Sequence, residues 1–275
     1  FSTSTGSVAR HPRVSRQIDP QAIFNYLYFH DIPSPGTIFT GVEKLLPAQY
    51  VHCRNGQLKK GFYWKLSFDE HNQASFQTQK QKFHGLLRQA VDKTSQGDSI
   101  ATFLSGGTDS STITGILSEL RENPVDTYSI GFSAEGFDEM EYARLAAQRF
   151  HATPHEYYLK PDDILEAIPL ITRSYDEPFA NDSAVPTYFC AKRAAMDGIK
   201  IMLAGDGGDE IFGGNERYAK QMVFEHYSRL PAFLRNHLIE PVANGIPGGE
   251  ALMPVRKLKS YIRQASMPLP ERMES

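Results

Sequence analysis

The chain has 275 residues, room for one large domain or two modest ones, and a protein of this size removes roughly three quarters of its unfolded surface from water without needing staples. Hydrophobic residues make up 40% and charged residues 22%, with 29 basic against 32 acidic side chains and a formal net charge of −3, which argues against a protein held to nucleic acid by electrostatic attraction. Stretches without a charge fall short of the roughly 20 apolar residues of a membrane-spanning helix, which excludes insertion by that route.

The sequence opens on Phe1 without an initiator Met, a basic n-region or an apolar h-region, and is read as a piece of a longer protein. Asp19-Pro20 offers a helix cap followed by proline at the first helical position, with Ala22, Ile23, Tyr26, Leu27 and Phe29 behind it. Ile32-Pro33-Ser34-Pro35-Gly36 then breaks the chain. Leu46 to Val51 and Leu58 to Trp64 flank Asn55-Gly56, the dipeptide suited to a tight hairpin turn, with Trp64, Phe62 and Tyr63 expected to pack on the hairpin. This front part reads as an antiparallel tail. Cys53 and Cys190 form no C-x-x-C pair and no zinc set, and are read as reduced thiols of a cytoplasmic protein.

Residues 68 to 82 are polar and Gln-rich, a linker running into a helix whose apolar face is Phe83, Leu86, Leu87, Ala90 and Val91. Strand and helix alternate from there. Ile100 to Leu104, Thr127 to Phe132, His155 to Leu159 and Lys200 to Ala204 read as strands. Helices are expected over Thr112 to Leu120, over Glu139 to Phe150 with Tyr142, Leu145, Ala146 and Phe150 on one side, and near 162–174 and 184–196. Such alternation predicts a parallel sheet with ligands at the carboxyl ends of its strands. His151 and His155, four apart across Pro154, are assigned to surface or packing roles rather than to a metal.

Two loops follow buried strands. The first, Ser105-Gly106-Gly107-Thr108-Asp109-Ser110-Ser111, leads into a helix and joins tight-turning glycines to hydroxyls and amides at a positive helix end. Asp109 among such donors makes sense if a magnesium ion sits between carboxylate and phosphates. No lysine follows, so this is not the G-x-x-x-x-G-K-[ST] loop. The second, Asp206-Gly207-Gly208-Asp209-Glu210-Ile211-Phe212-Gly213-Gly214, carries three carboxylates among four glycines, hard oxygen ligands suited to magnesium. A capped Gly-Ser turn and a solvated Asp-Gly turn are the bland alternatives. Gly207-Gly208-Asp209-Glu210 also looks like the diguanylate cyclase signature, but here it lies between a strand and helix-like residues 216–228 rather than at a hairpin tip.

The string Phe103 to Ser111 resembles the S-G-G-x-D-S pyrophosphate loop of ATP pyrophosphatases, and Ala204 to Gly214 resembles its partner in asparagine synthetases. Tyr128 to Phe132, Asp138-Glu139 with Tyr142-Ala143, Tyr175 to Ala180 and Pro186-Thr187-Tyr188 match in order and spacing, and Thr37 to Pro47 is similar to the end of the family's glutaminase domain. The resemblance implies a fold of the α/β class: a parallel-sheet ATP-pyrophosphatase (adenine nucleotide alpha hydrolase-like) domain with helices on both faces over 72–275, preceded over 1–67 by a short antiparallel β segment from a glutaminase domain.

It further implies ATP and Mg2+, with aspartate and glutamine or ammonia as substrates, and it allows a homodimer. Aspartate would be activated as an acyl-adenylate with release of pyrophosphate, and ammonia would displace AMP. In the nucleotide site it implies Leu104, Ser105, Gly106, Gly107, Asp109, Ser110, Ser111, Ile130, Ala204 and Gly205; as catalytic residues Asp109, Asp206 and Asp209; and as metal ligands Asp109 and Asp209. The sequence departs from the family in several places. Phe1 stands where glutaminase chemistry needs a cysteine, the family's lysine would lie beyond Ser275, and Lys220, Lys257 and Lys259 are poor substitutes. Asp206 replaces a common Glu, and Glu177-Pro178-Phe179-Ala180 replaces a Thr-rich, Arg-bearing version. A relative adenylating another carboxylate (a β-lactam, macrolactam or surface-metabolite type) and an ATP-binding remnant without turnover are the alternatives.

Overall fold

The computed structural model describes residues 1–67, 73–97, 99–133, 138–245 and 253–267. The described chain runs α1 (Thr5–Ala9), α2 (Pro20–Phe29), β1 (Gln49–Arg54), β2 (Gln57–Phe62), α3 (Phe76–Thr94), β3 (Ile100–Phe103), α4 (Thr108–Leu120), β4 (Asp126–Phe132), α5 (Met140–Arg149), β5 (Thr153–Leu159), α6 (Pro161–Ser174), α7 (Ala184–Met196) and β6 (Ile201–Leu203). There follow α8 (Gly208–Phe212), α9 (Glu216–Ser228), α10 (Ala232–Leu234), a π-helical turn at Arg235–Ile239, α11 (Glu240–Gly245) and α12 (Met253–Ser266). Two compact units divide between Ala204 and Gly205. Of the expected linker at 68–82, residues 68–72, where the expected domain boundary falls, lie outside the described residues, and 76–82 already belong to α3.

In the first unit a parallel sheet has the order β5-β4-β3-β6. Its short apolar strands are covered on both faces, as parallel sheets require. Alternate residues of β3 point to opposite sides: Ile100 packs with Val91, Leu117 and Val125, whereas Ala101 packs with Tyr128, Cys190 and Ala194. Helices α3, α4 and α5 therefore cover one face, and α6 and α7 the other. The hydroxyls of Thr102 and Thr114 meet at 2.8 Å and are fully buried, which pins α4 to β3 without leaving either group unsatisfied. Leu117 is 1% exposed in that layer. Leu117→Ala is expected to destabilise the sheet by about 3 kcal/mol, read as a lower urea midpoint at unchanged slope.

The hairpin is where Asn55-Gly56 predicts it, in antiparallel register from Gln49↔Phe62 to Arg54↔Gln57, with both turn residues at positive φ (51° and 75°). Asp19 caps α2 by accepting the Gln21 amide at 2.9 Å, with Pro20 at the first position. The parallel α/β class expected from the sequence is the one observed.

Several expectations are corrected. Helix α4 begins at Thr108, not Thr112, so Asp109, Ser110 and Ser111 belong to its first turn. Helix α5 buries Met140, Ala143 and Ala147 and leaves Tyr142 and Leu145 exposed; small side chains face the sheet because the helix must approach Gly106 closely. On α3 only Val91 is buried, while Phe83 and Leu86 are exposed, so only the last turn of its apolar stripe meets the sheet. Trp64, Tyr63 and Phe62, expected to pack on the hairpin, are 59%, 76% and 43% exposed. Residues 208–212, read as loop, form α8.

The second unit is helical among its described residues. Phe224, Tyr227, Ile262 and Ala265 form its core, and Glu240 Oε1 accepts from Tyr227 and Ser266 at 3.2 and 2.9 Å.

Candidate nucleotide site

The chain leaves β3 toward β4 and β5 on one side and returns to β6 on the other. The strand order thus reverses between β3 and β6, and in open α/β sheets ligands bind outside the carboxyl ends at such a switch point. Leu104 follows β3 there and Ala204 follows β6, both inside the first unit.

Gly106 has φ +85°, and a Cβ on it would come within 2.5 Å of the Ala143 nitrogen and the Tyr142 carbonyl carbon. Glycine is required twice over, for the left-handed backbone and for contact with the α5 main chain. Ser105 and Ser110 brace the turn: their hydroxyls lie 3.0 Å apart, Ser110 Oγ accepts the Ser105 amide at 3.2 Å, and Ser105 Oγ accepts the Gly107 amide at 3.2 Å. Gly107, the N-cap of α4, has no side chain to cap with. The amides of Thr108, Asp109 and Ser110 have no acceptor among the described residues, and Ser111 Oγ is a buried hydroxyl without a partner. Thr108 is exposed and Asp109 and Ser110 are half-buried, so these are the open amides of a helix start, and Ser111 Oγ alone is a buried donor that calls for a partner. Open amides at a helix start suit an anion.

Below the loop lies a cavity of about 280 Å³ lined by Leu104, Ser105 and Ile130 together with Met140 of α5 and Pro186 and Thr187 of α7. Its floor is fixed. Ser129 Oγ donates to the Leu104 carbonyl at 2.6 Å, and the Leu104 amide donates to the Tyr128 carbonyl at 3.0 Å. The structure therefore brings Leu104, Ser105 and Ile130 together around one space, with Gly106 to Ser111 in the adjoining turn. Asp109 is half-buried in the first turn of α4, and as an oxygen donor beside free amides and hydroxyls it suits a phosphate-bound magnesium ion.

Gly205, Asp206 and Asp209 belong to the second unit. Asp206, Asp209 and Glu210 are all exposed. Gly207 and Gly213 bracket α8 at φ +86° and +69°, and a Cβ on Gly214 would overlap the Asp209 carboxylate. Among the described residues no three His, Cys, Asp or Glu side chains gather as a metal cluster, so the three carboxylates of this loop do not converge. Magnesium commonly takes only one or two carboxylates beside phosphate and water.

The strings around Glu139, Ala143 and Thr187 stand out in the sequence without being placed at the site, and Met140 and Cys190 were missed as cavity wall because they look like ordinary helix residues. Cys190 is buried at the cavity, and desolvation pushes its thiol from an ordinary 9.0 up to about 12. Between those values the unfolded chain ionises this thiol and the folded protein does not, so its burial works against the fold only as pH rises through that window. At neutral pH iodoacetamide is expected to modify exposed Cys53 and to reach Cys190 only after unfolding; mass-mapped labelling of both thiols in native protein would contradict this.

Tyr128 borders the same cavity. Its hydroxyl donates to Asp197 at 2.8 Å and its ring stacks on His155 at 4.6 Å, and burial raises its pKa well above the usual value. His155 Nε2 lies 2.8 Å from Asp126, a packing role as expected, while His151 follows the Phe150 cap of α5 in left-handed backbone at φ 53°.

The asparagine synthase family model matches residues 82–271. The chain belongs to that family. It is 29% identical over 262 residues to asparagine synthetase [glutamine-hydrolyzing] 1 of Bacillus subtilis (strain 168), covering 93% of this chain and 39% of the relative. A Methanocaldococcus jannaschii protein provisionally given the same enzyme name is 33% identical over 224 residues, 79% of this chain and 42% of its own. The chain therefore spans about two fifths of the length of these curated relatives. A solved NH3-dependent NAD synthetase from Campylobacter jejuni is similar over 71% of this chain and 98% of that one, at 11% identity and a TM-score of 0.32; the fold assignment stands on the strand order itself. Among the described residues no helix is long and apolar enough to cross a membrane.

Proposed function

We propose that this chain is the nucleotide-binding part of an ATP-dependent amide-forming ligase that adenylates the side-chain carboxylate of aspartate. The observation that carries the reading is the cavity at the carboxyl ends of β3 and β4, beside a glycine turn whose unsatisfied donors suit an anion, in a chain of the asparagine synthase family. In this reading Leu104 and Ile130 hold the adenosine, with Ala204 and Gly205 added by the family resemblance. The Ser105–Ser111 turn holds the β- and γ-phosphates. An aspartate carboxylate oxygen attacks the α-phosphorus, the bond to pyrophosphate breaks, and the free amides of α4 meet the charge that builds on the leaving group. Preorganised donors of this kind are commonly the largest catalytic contribution in such sites. Ammonia then attacks the acyl carbon and the bond to AMP breaks, giving asparagine.

Asp109 would hold a magnesium ion, which when bound neutralises charge on the leaving phosphates. Asp209 as a second ligand, and Asp206 as a group that orients metal or substrate, are assigned by family resemblance. Residues 1–67 are assigned as the tail of a glutaminase domain and 72–275 as the ATP-binding domain of a cytoplasmic enzyme, in which glutamine supplies the ammonia and a homodimer is the proposed assembly.

The test is pyrophosphate and AMP formation by the protein of the complete natural reading frame, with ATP and magnesium. Release that needs aspartate, with asparagine formed on adding ammonium, supports the proposal. Release that ignores aspartate is hydrolysis and contradicts the proposal. Nucleotide binding without release in the presence of aspartate leaves either another carboxylate as acceptor or a remnant without turnover, which a panel of carboxylates separates.

A further inference from the structure

Between α6 and α7 the chain crosses residues 175–183 without helix or strand, so its course is set by what it touches. The hydrogen bonds that tie residues 176–180 down run to the N-terminal segment. Asp176 accepts from Ser4 Oγ at 2.7 Å and from the Thr5 amide at 3.1 Å. Glu177 accepts the Ile38 amide at 3.0 Å on one oxygen and pairs with Lys44 Nζ at 2.6 Å on the other. The Ala180 amide donates to the His30 carbonyl at 3.0 Å.

The Glu177 side chain is only 10% exposed. Lys44 Nζ also donates to the carbonyl of Ile32, itself fully buried, at 2.6 Å. Lys44 thus joins a buried turn of the N-terminal segment to the crossing. Three residues past Ala180 the chain enters the wall of the cavity, through Ser183, Pro186 and Thr187.

We infer that Lys44 and Glu177 are positioning residues: their ion pair clasps the N-terminal segment to the crossing and so sets where the first turns of α7 stand against the nucleotide cavity. Neither residue lines the cavity. Their effect is transmitted through the chain from 177 to 187, which makes the N-terminal segment a determinant of nucleotide affinity. A half-buried pair is needed here because an exposed one would fix little, whereas removing one partner of a desolvated pair leaves the other unmatched. The nucleotide part of the inference rests on the proposed function; the clasp itself does not.

The test uses the protein of the complete natural reading frame. Lys44→Met is expected to speed amide hydrogen exchange over residues 181–188 while the strands at 100–103 and 126–132 keep their protection. Lys44→Arg, which keeps charge and reach, is expected to restore it. In turnover assays the same loss raises KM for ATP by about tenfold at unchanged kcat, the size of one charge-assisted hydrogen bond. Unchanged exchange over 181–188 overturns the inference, as does an equal rise across the strands or a failure of Arg to rescue. Should Lys44→Met not fold, Glu177→Gln retains an acceptor for the Ile38 amide while removing the charge, and is read in the same way. If the wild type binds no ATP, the nucleotide reading falls while the exchange result still decides the clasp.

Discussion

Asp109→Ala is expected to abolish pyrophosphate release, with a loss on the order of a thousandfold, while the protein stays folded. Two roles compete for this carboxylate. In the first turn of α4 an acidic side chain interacts favourably with the helix N-terminus, a contribution of about 0.3–1 kcal/mol, and removing it for that reason alone would shift stability slightly and leave the rate untouched. As the carboxylate that holds a phosphate-bound cation, it would instead be lost from the rate. Asp109→Asn separates the two further, since it keeps shape and removes charge. Steady-state pyrophosphate release beside a thermal unfolding curve reads both effects; a variant with wild-type rate would remove Asp109 from the chemistry.

Gly106→Ala is expected to cost both stability and nucleotide affinity. The left-handed backbone at φ +85° penalises any Cβ by about 1–2 kcal/mol. The Cβ would also meet the main chain of Tyr142 and Ala143 at 2.5 Å, and main chain cannot rotate away as a side chain can. Helix α5 must therefore retreat, and it carries Met140 and Ala143 of the cavity wall. Together these put the cost on the order of 3 kcal/mol. Gly107 is the control, because its φ is −67° and the nearest atom to an added Cβ is Ser105 Oγ at 3.3 Å. Urea unfolding and ATP titration of the two variants should diverge; equal behaviour would mean that close packing on α5 does not shape the site.

The elements that were legible in the sequence are those fixed by local chemistry. Asn55-Gly56 dictates its hairpin, Asp19-Pro20 its helix start, and the short apolar runs at 100–104 and 127–132 their buried strands. What escaped was set by tertiary contact. The start of α4 was misplaced because Gly, Ser, Thr and Asp favour turns, yet here they form the first helical turn, braced by the Ser105–Ser110 hydroxyl pair. The buried face of α5 was misread because a search for large apolar side chains selects Tyr142 and Leu145, whereas close approach to Gly106 selects alanines. Of the candidate site, the residues on one loop and strand could be read directly. The wall from α7 and the clasp at Lys44 could not, since Glu177 and Lys44 lie 133 residues apart and the strings that hold them say nothing of which residues meet in space.

The most direct test of the central claim follows the oxygen of the acceptor. Aspartate carrying heavy oxygen in its side-chain carboxylate is incubated with ATP, magnesium, ammonium and the protein of the complete natural reading frame, and the products are weighed by mass spectrometry. Attack of that carboxylate on the α-phosphorus predicts a single heavy oxygen in AMP, with the label absent from pyrophosphate. Unlabelled AMP, or ADP with heavy oxygen in inorganic phosphate, would contradict adenylation of aspartate by this site.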